Sequence, residues 1–87
     1  MALVITLYSA KWCPHCRKMA PVWAKVKQSA SSLGVSFREV DGDSGEVPRD
    51  VRGFPTIRAS KGGKFYQYRS GADFTSLRLW VYRLSML

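Results

Sequence analysis

Residues 12–16 read Trp12-Cys13-Pro14-His15-Cys16, and they hold both cysteines and the single histidine of an 87-residue chain. They lie between an apolar, β-branched run at 3–8 and a run at 17–30 whose apolar residues recur every three or four positions. The first pattern predicts a buried strand and the second an amphipathic helix. Pro14 suits the first helical position, because its φ is preset and it has no N–H to lose. We therefore expect two thiols at the N-terminus of a helix that follows a central strand.

The rest of the chain predicts one α/β domain spanning residues 1–87. Its predicted elements are strands at 3–8, 35–40, 57–60 and 65–69 and helices at 14–30, 46–51 and 74–84. A Gly-Gly turn at 62–63 suits the hairpin between the last two strands, since both positions of such a turn need positive φ. This β-α-β-α-β-β-α order predicts a four-stranded mixed sheet with a parallel first pair and helices on both faces.

The charge of the chain is strongly basic, with 14 Lys and Arg against 6 Asp and Glu, a net charge of +8. Such a surface favours acidic partners, but no nucleic-acid-binding motif is present. We expect the aromatic residues near 65–68 to pack within the hairpin. No run approaches the roughly 20 apolar residues of a membrane span. The apolar start lacks the basic segment of a signal peptide. We expect a cytoplasmic monomer without a membrane or nucleic-acid partner.

The C-x-x-C pair at a helix start is typical of thiol–disulfide exchange. The N-terminus of a helix carries partial positive charge and unpaired N–H groups, so it stabilises a thiolate at Cys13. His15, when protonated, favours that thiolate further, and thiols in such settings titrate at roughly 3.5–7.5. Cys13 is therefore expected to attack a substrate disulfide and Cys16, one turn further in, to resolve the mixed disulfide.

Other uses of the two cysteines are weaker alternatives. A disulfide between Cys13 and Cys16 would close too short a loop to stabilise a fold. One chain offers two thiolates and one histidine, which are too few for a structural zinc site, although a metal shared between two chains stays open. No cofactor is expected beyond the reversible disulfide itself, with glutathione as a candidate redox partner.

Two segments resemble the thioredoxin superfamily, and within it the catalytic domains of protein disulfide isomerase. W-C-P-H-C-R-K-M-A-P-V-W at 12–23 resembles their W-C-G-H-C-K-x-x-x-P-x-W stretch, with Pro14 in place of glycine. V-R-G-F-P-T-I at 51–57 resembles V-R-G-[YF]-P-T-[IL], and 68–71 resemble the Y-x-G turn before the closing helix. The resemblance covers nearly the whole chain and implies a thioredoxin fold in a minimal, glutaredoxin-sized form.

The same resemblance implies roles for residues outside the dithiol. Pro55 would follow a cis peptide bond and face the two cysteines, and the backbone at Phe54 would pair with a bound peptide strand. Trp12 would be a substrate platform or a lid on the domain. Protein thiols and disulfides would be the substrates, with a reductase or glutathione as the redox partner.

Two positions depart from the family pattern. Leu7 stands where the family has a buried acid that accepts a proton from the second cysteine, and Ala72 stands where it has an arginine. The attack of Cys16 on the mixed disulfide then lacks the acid and the arginine that the family has, unless Arg69 or water takes their place. Three hypotheses follow: a protein dithiol–disulfide oxidoreductase, a glutathione-dependent glutaredoxin-like enzyme, and a redox-sensitive binding module with little turnover.

Overall fold

The secondary structure follows the predicted order with one exception. The computed structural model describes residues 2–87. Its strands are β1 (Leu3–Ser9), β2 (Val35–Asp41), β3 (Thr56–Lys61) and β4 (Lys64–Gln67), and its helices are α1 (Pro14–Ser29) and α2 (Phe74–Ser85), with a 3-10 turn at Ser31–Leu33.

The four strands form one mixed sheet in the order β2-β1-β3-β4, as predicted. Strand β1 lies inside it, parallel to β2 and antiparallel to β3, so that Leu7 is flanked by Glu39 and Ile57. Strands β3 and β4 form the predicted hairpin. Its turn residues Gly62 and Gly63 have φ of 58° and 79°, which a side chain would strain.

Both helices pack on the same face of the sheet. Alternate residues of β1 point to this face, because side chains alternate along a strand. They meet the apolar stripes of the two helices in one core: Leu3, Ile5, Leu7, Met19, Trp23, Val26, Leu77, Val81 and Leu84. The spacing of these residues on α1 and α2 is the helical period read from the sequence.

The predicted short helix at 46–51 is wrong, and with it the expectation of helices on both faces. This part of the described chain is a loop with one turn, in which the Val51 N–H donates to the Pro48 carbonyl at 3.0 Å. Gly45 has φ of 81°, Pro48 has no N–H to donate, and only Val47 and Val51 are apolar enough to anchor a helix. The second face of the sheet therefore carries no helix within residues 2–87.

Strand β4 ends at Gln67, two residues before the predicted end, although the Tyr68 N–H still donates to the Ile57 carbonyl at 2.9 Å. Across the part of the chain that the structure covers, neither helix has the length and apolar character needed to cross a membrane.

Candidate active site

The dithiol lies where β1 passes into α1. Cys13 is the N-cap residue of α1, with extended backbone angles, and Pro14 occupies the first helical position as predicted. The Cys16 N–H donates to the Cys13 Sγ at 3.3 Å. The sulfur thus takes the place that a serine or aspartate oxygen usually takes at a helix N-cap. An N-cap group faces the positive end of the helix, which favours negative charge on this sulfur.

Several donors around Cys13 lower its thiol pKa below the ordinary value. The strongest is a hydrogen bond from the Cys16 thiol, and the backbone N–H groups of Cys16 and His15 act in the same direction against the effect of burial. In its protonated form Cys13 donates to the Phe54 carbonyl oxygen at 3.4 Å. Cys13 is therefore the sulfur that ionises more readily.

Cys16 has the opposite environment. Burial raises the pKa of its thiol above the ordinary value, and the neighbouring Cys13 raises it further. The Ala10 N–H, 3.5 Å from the Cys16 Sγ, opposes this shift. Both cysteines carry free thiols in this structure. The arrangement can hold a thiolate at Cys13 and a protonated thiol at Cys16, which is the order that exchange needs.

Phe54 forms the outer wall of the dithiol, and Pro55 follows it in the chain. The peptide bond between them is cis, as predicted. The Phe54 side chain packs on a small buried cluster of Ala10, Cys13 and Cys16. The structure thus brings the segment at 51–57 against the dithiol, some 40 residues away in sequence.

Trp12 packs against Phe54 and remains 63% exposed. Its ring meets the Phe54 ring edge-on, with centroids 6.0 Å apart, and its indole N–H donates to the Asp43 Oδ1 at 3.4 Å. Trp12 is therefore anchored against the domain while most of its surface faces solvent beside the dithiol.

His15 lies on the outer surface with its side chain exposed. It borders a cavity of about 270 Å³ whose lining includes Lys18, Pro55 and Ala72. Arg69 lines a different cavity with Asp50 and Arg58, so the structure does not place it beside His15 as a replacement for the arginine missing at Ala72.

Leu7 is buried in the main core, 5% exposed, and so offers no proton acceptor behind Cys16. Within residues 2–87, no three His, Cys, Asp or Glu side chains are arranged to hold a metal ion.

Two residues at the site were not singled out from the sequence. Ala10 supplies the N–H at Cys16, and backbone groups leave no sequence signal. Gly42 supports the Phe54 ring, because a Cβ at Gly42 would lie 2.7 Å from Phe54 Cζ. The turn-rich composition at 41–45 predicted the loop, but nothing in it indicated a distant aromatic ring.

The comparison with family models decides the family. The model described as Thioredoxin matches residues 1–82 of the chain. The chain belongs to the thioredoxin family. This membership, with the sheet and helices described above, confirms the predicted thioredoxin fold and the C-x-x-C reading of Cys13 and Cys16 as a family feature.

Relatives of this thioredoxin-family chain include protein disulfide isomerases. It is 32% identical over 83 residues to human protein disulfide-isomerase TMX3, covering 90% of the chain and 18% of that protein. It is 38% identical over 72 residues to a thioredoxin domain-containing protein of Theileria parva, covering 74% and 30%. The chain therefore spans under a third of the length of either relative.

Solved structures show the same fold. The J-Trx1 fragment of ERdj5 superposes with a TM-score of 0.88 at 20% identity, over 98% of this chain and 44% of that one. The first thioredoxin domain of mouse protein disulfide-isomerase A4 superposes with a TM-score of 0.78 at 27% identity, over 95% and 63%.

Proposed function

We propose that this domain is a protein dithiol–disulfide oxidoreductase that works through Cys13 and Cys16. The observation that carries the proposal is the geometry of the two thiols. Cys13 caps α1, where its Sγ accepts the Cys16 N–H at 3.3 Å, and the Cys16 Sγ lies 3.5 Å from the Ala10 N–H. This geometry gives opposite pKa shifts, with the Cys13 pKa lowered and the Cys16 pKa raised. Family membership supports the same reaction class, since relatives of the chain are named protein disulfide-isomerases.

In the first step the Cys13 thiolate attacks one sulfur of a substrate disulfide. A Cys13–substrate bond forms, the substrate S–S bond breaks, and the departing sulfur leaves as a thiolate that takes a proton from water. In the second step Cys16 loses its proton and attacks the Cys13 Sγ. The mixed disulfide then breaks, the substrate leaves with two thiols, and Cys13 and Cys16 are left as a disulfide.

The donors around Cys13 also bear on the direction of the reaction. Groups that stabilise a thiolate stabilise the reduced protein and make its disulfide more oxidising. We therefore propose a bias towards oxidation or isomerisation of protein thiols, with a reductase or glutathione as the redox partner. The cytoplasmic location, the monomeric state and the absence of a cofactor stay predictions.

Turnover assays with cysteine variants test this proposal. We expect the wild type to catalyse insulin reduction and the refolding of scrambled ribonuclease, and both Cys13→Ser and Cys16→Ser to fall to the uncatalysed rate. Full activity of Cys13→Ser would contradict the assignment of the attacking sulfur.

Two other outcomes would favour the alternatives. Glutathione-dependent activity retained by Cys16→Ser would indicate a glutaredoxin-like enzyme, for which the cavity beside His15 and Lys18 is the place to look for glutathione. A wild type that forms mixed disulfides but hardly turns over would indicate a redox-sensitive binding module.

A further inference from the structure

A second cavity opens on the inner side of the dithiol. It has a volume of about 420 Å³ and lies between the start of α1 and the end of β2. Cys16 and Ala20 line it from α1, and Glu39 and Asp41 line it from β2. The resolving cysteine and two acidic residues therefore line the same cavity.

Glu39 reaches this cavity from a defined position in the sheet. It is the partner of Leu7 in the parallel pairing of β1 and β2. Neighbouring residues in a sheet point to the same face, so Glu39 lies on the face that carries α1. Its carboxylate pairs with the Lys27 ammonium of α1 at 3.1 Å and is half exposed.

Cys16 needs a proton acceptor that the core does not supply. Burial, the largest cause of its raised pKa, persists when Cys13 is in a mixed disulfide, so Cys16 must lose a proton before it can attack. Leu7, the core residue that fills the position of the family's acid, cannot take this proton.

We propose that Glu39 accepts the proton of Cys16 through water held in this cavity. The cavity has room for several water molecules, each of which takes up about 30 Å³ in the liquid. The proposal rests on the proposed function and deepens it by giving the resolving step its base.

The other charged groups at the cavity fit this assignment. Asp41 pairs with Ser9 in the sheet, and its Oδ1 accepts the Asp43 N–H at 3.0 Å, which ties the carboxylate to the loop after β2. Lys11 and Arg17 also line the cavity, from the segment around the dithiol. Lys27 is not among the lining residues and forms a partly exposed ion pair with the Glu39 carboxylate.

The resolving step transfers one proton and exchanges one S–S bond for another. The proton of the Cys16 thiol passes through water to the Glu39 carboxylate, and the sulfur lone pair forms the bond to the Cys13 Sγ. The bond between Cys13 and the substrate breaks, and the substrate leaves as a thiolate with that electron pair. Glu39 then returns its proton to solvent.

A quenched-flow experiment isolates this step. Reduced protein is mixed with excess disulfide-bonded peptide, quenched in acid, and the Cys13 mixed disulfide is followed by mass spectrometry as it forms and decays. General bases contribute about 10² to 10⁴ in rate, and because water mediates this transfer we expect Glu39→Gln to slow the decay about tenfold at pH 7. The difference should narrow as the pH rises, because hydroxide ion then takes the Cys16 proton without the carboxylate, and formation of the mixed disulfide should be unchanged.

Two matched variants separate the base from a structural role. Lys27→Gln removes the same ion pair but keeps the carboxylate, and Asp41→Asn removes the other acid. Since exposed ion pairs contribute little, both should stay within about twofold of the wild type. The proposal would be overturned if Lys27→Gln slowed the decay of the mixed disulfide as much as Glu39→Gln, or if Asp41→Asn slowed it in place of Glu39→Gln. It would also be overturned if Glu39→Gln left the decay unaffected or slowed it equally at every pH. A wild-type mixed disulfide that never decays would instead show that the proposed oxidoreductase function fails.

Discussion

Cys13 and Cys16 are three residues apart and both are buried, yet hydrogen-bond donors dominate the pKa of Cys13 and burial dominates the pKa of Cys16. The Cys13 Sγ accepts the Cys16 N–H and donates to the Phe54 carbonyl oxygen. Cys16 lies one helical turn further in, where the Ala10 N–H touches its sulfur and burial dominates. The pKa of the attacking thiol is thus set by the start of α1, and that of the resolving thiol by burial and by the Ala10 N–H from the loop before the helix.

This difference means that the two sides of the dithiol can be disturbed separately. The outer side depends on α1 and on the Phe54–Pro55 segment, which Gly42 supports. The inner side depends on β1 and β2, through Leu7 in the core and Glu39 at the cavity. Because the Cys16 thiol is the strongest donor to Cys13, substitutions on one side should leave the chemistry of the other nearly intact only when both cysteines are kept.

The largest expected effect is on the inner side. Leu7→Ala removes a buried side chain of the main core and should lower the free energy of unfolding by about 2–5 kcal/mol. Urea denaturation at low temperature measures this loss. The rate of Cys13 alkylation in the folded variant should match the wild type, because Leu7 supplies none of the donors at Cys13.

Leu33→Ala is the matched control, since Leu33 is 39% exposed and belongs to the same residue type. Leu33→Ala should lower the free energy of unfolding by less than about 1 kcal/mol, because it removes a partly exposed side chain. Equal losses in the two variants would mean that the inner side is not the packed core described above.

A smaller effect is expected on the outer side. Gly42→Ala would place a Cβ 2.7 Å from Phe54 Cζ, so the ring must move off the cluster of Ala10, Cys13 and Cys16. Overpacking of this kind costs about 1–3 kcal/mol. Thermal unfolding should show a midpoint lowered by roughly 4–8 °C for each kcal/mol lost.

Gly53→Ala provides the control next to Phe54 itself. A Cβ at Gly53 meets nothing within 4 Å, and its φ is not positive, so the midpoint should stay near that of the wild type. An unchanged midpoint in Gly42→Ala would show that Phe54 is not held in place by this loop.

The smallest expected effect concerns His15. Its backbone N–H helps to lower the Cys13 pKa and survives substitution, whereas its imidazole is exposed to solvent. Exposed side chains contribute at most about 1 kcal/mol to a neighbouring charge, so His15→Ala should move the reduction potential of the dithiol by no more than about 20 mV.

Equilibration in glutathione redox buffers measures this potential. The wild type should lie well above the roughly −270 mV of thioredoxin, towards the range of isomerases. A shift in His15→Ala several times larger than predicted would show that the imidazole, and not the helix start, provides most of the stabilisation of the Cys13 thiolate.

The sequence predicted the elements that depend on local pattern. The period of α1 and α2, the Gly-Gly hairpin and the helix start at Pro14 each follow from a few neighbouring residues. The resemblance of 51–57 to its family supplied the cis bond before Pro55, which no periodicity could indicate. These features were predictable because the residues that cause them are adjacent or carry a motif.

The features that the sequence did not predict depend on distant residues. The segment at 46–51 has Glu and Val at spacings that suit a helix, but Gly45 and Pro48 and the lack of a partner surface leave it a loop. The contact of Gly42 with Phe54 and the shared cavity of Cys16 and Glu39 arise only when strands come together. Position 7 is a leucine, so a base for Cys16 has to come from another strand. Only the register of β1 and β2 shows that Glu39 is the residue beside Leu7.

The most direct test of the central claim is the pH dependence of iodoacetamide alkylation at each cysteine of the reduced protein, resolved by peptide mass spectrometry. Because only thiolates react, a lowered pKa brings the rate at Cys13 to its plateau at a lower pH than a free cysteine, and a raised pKa delays Cys16. The account predicts that Cys13 reacts at least about tenfold faster than Cys16 at pH 7. Rates that rise together with pH, or a Cys16 that reacts first, would contradict the division of roles between the two sulfurs.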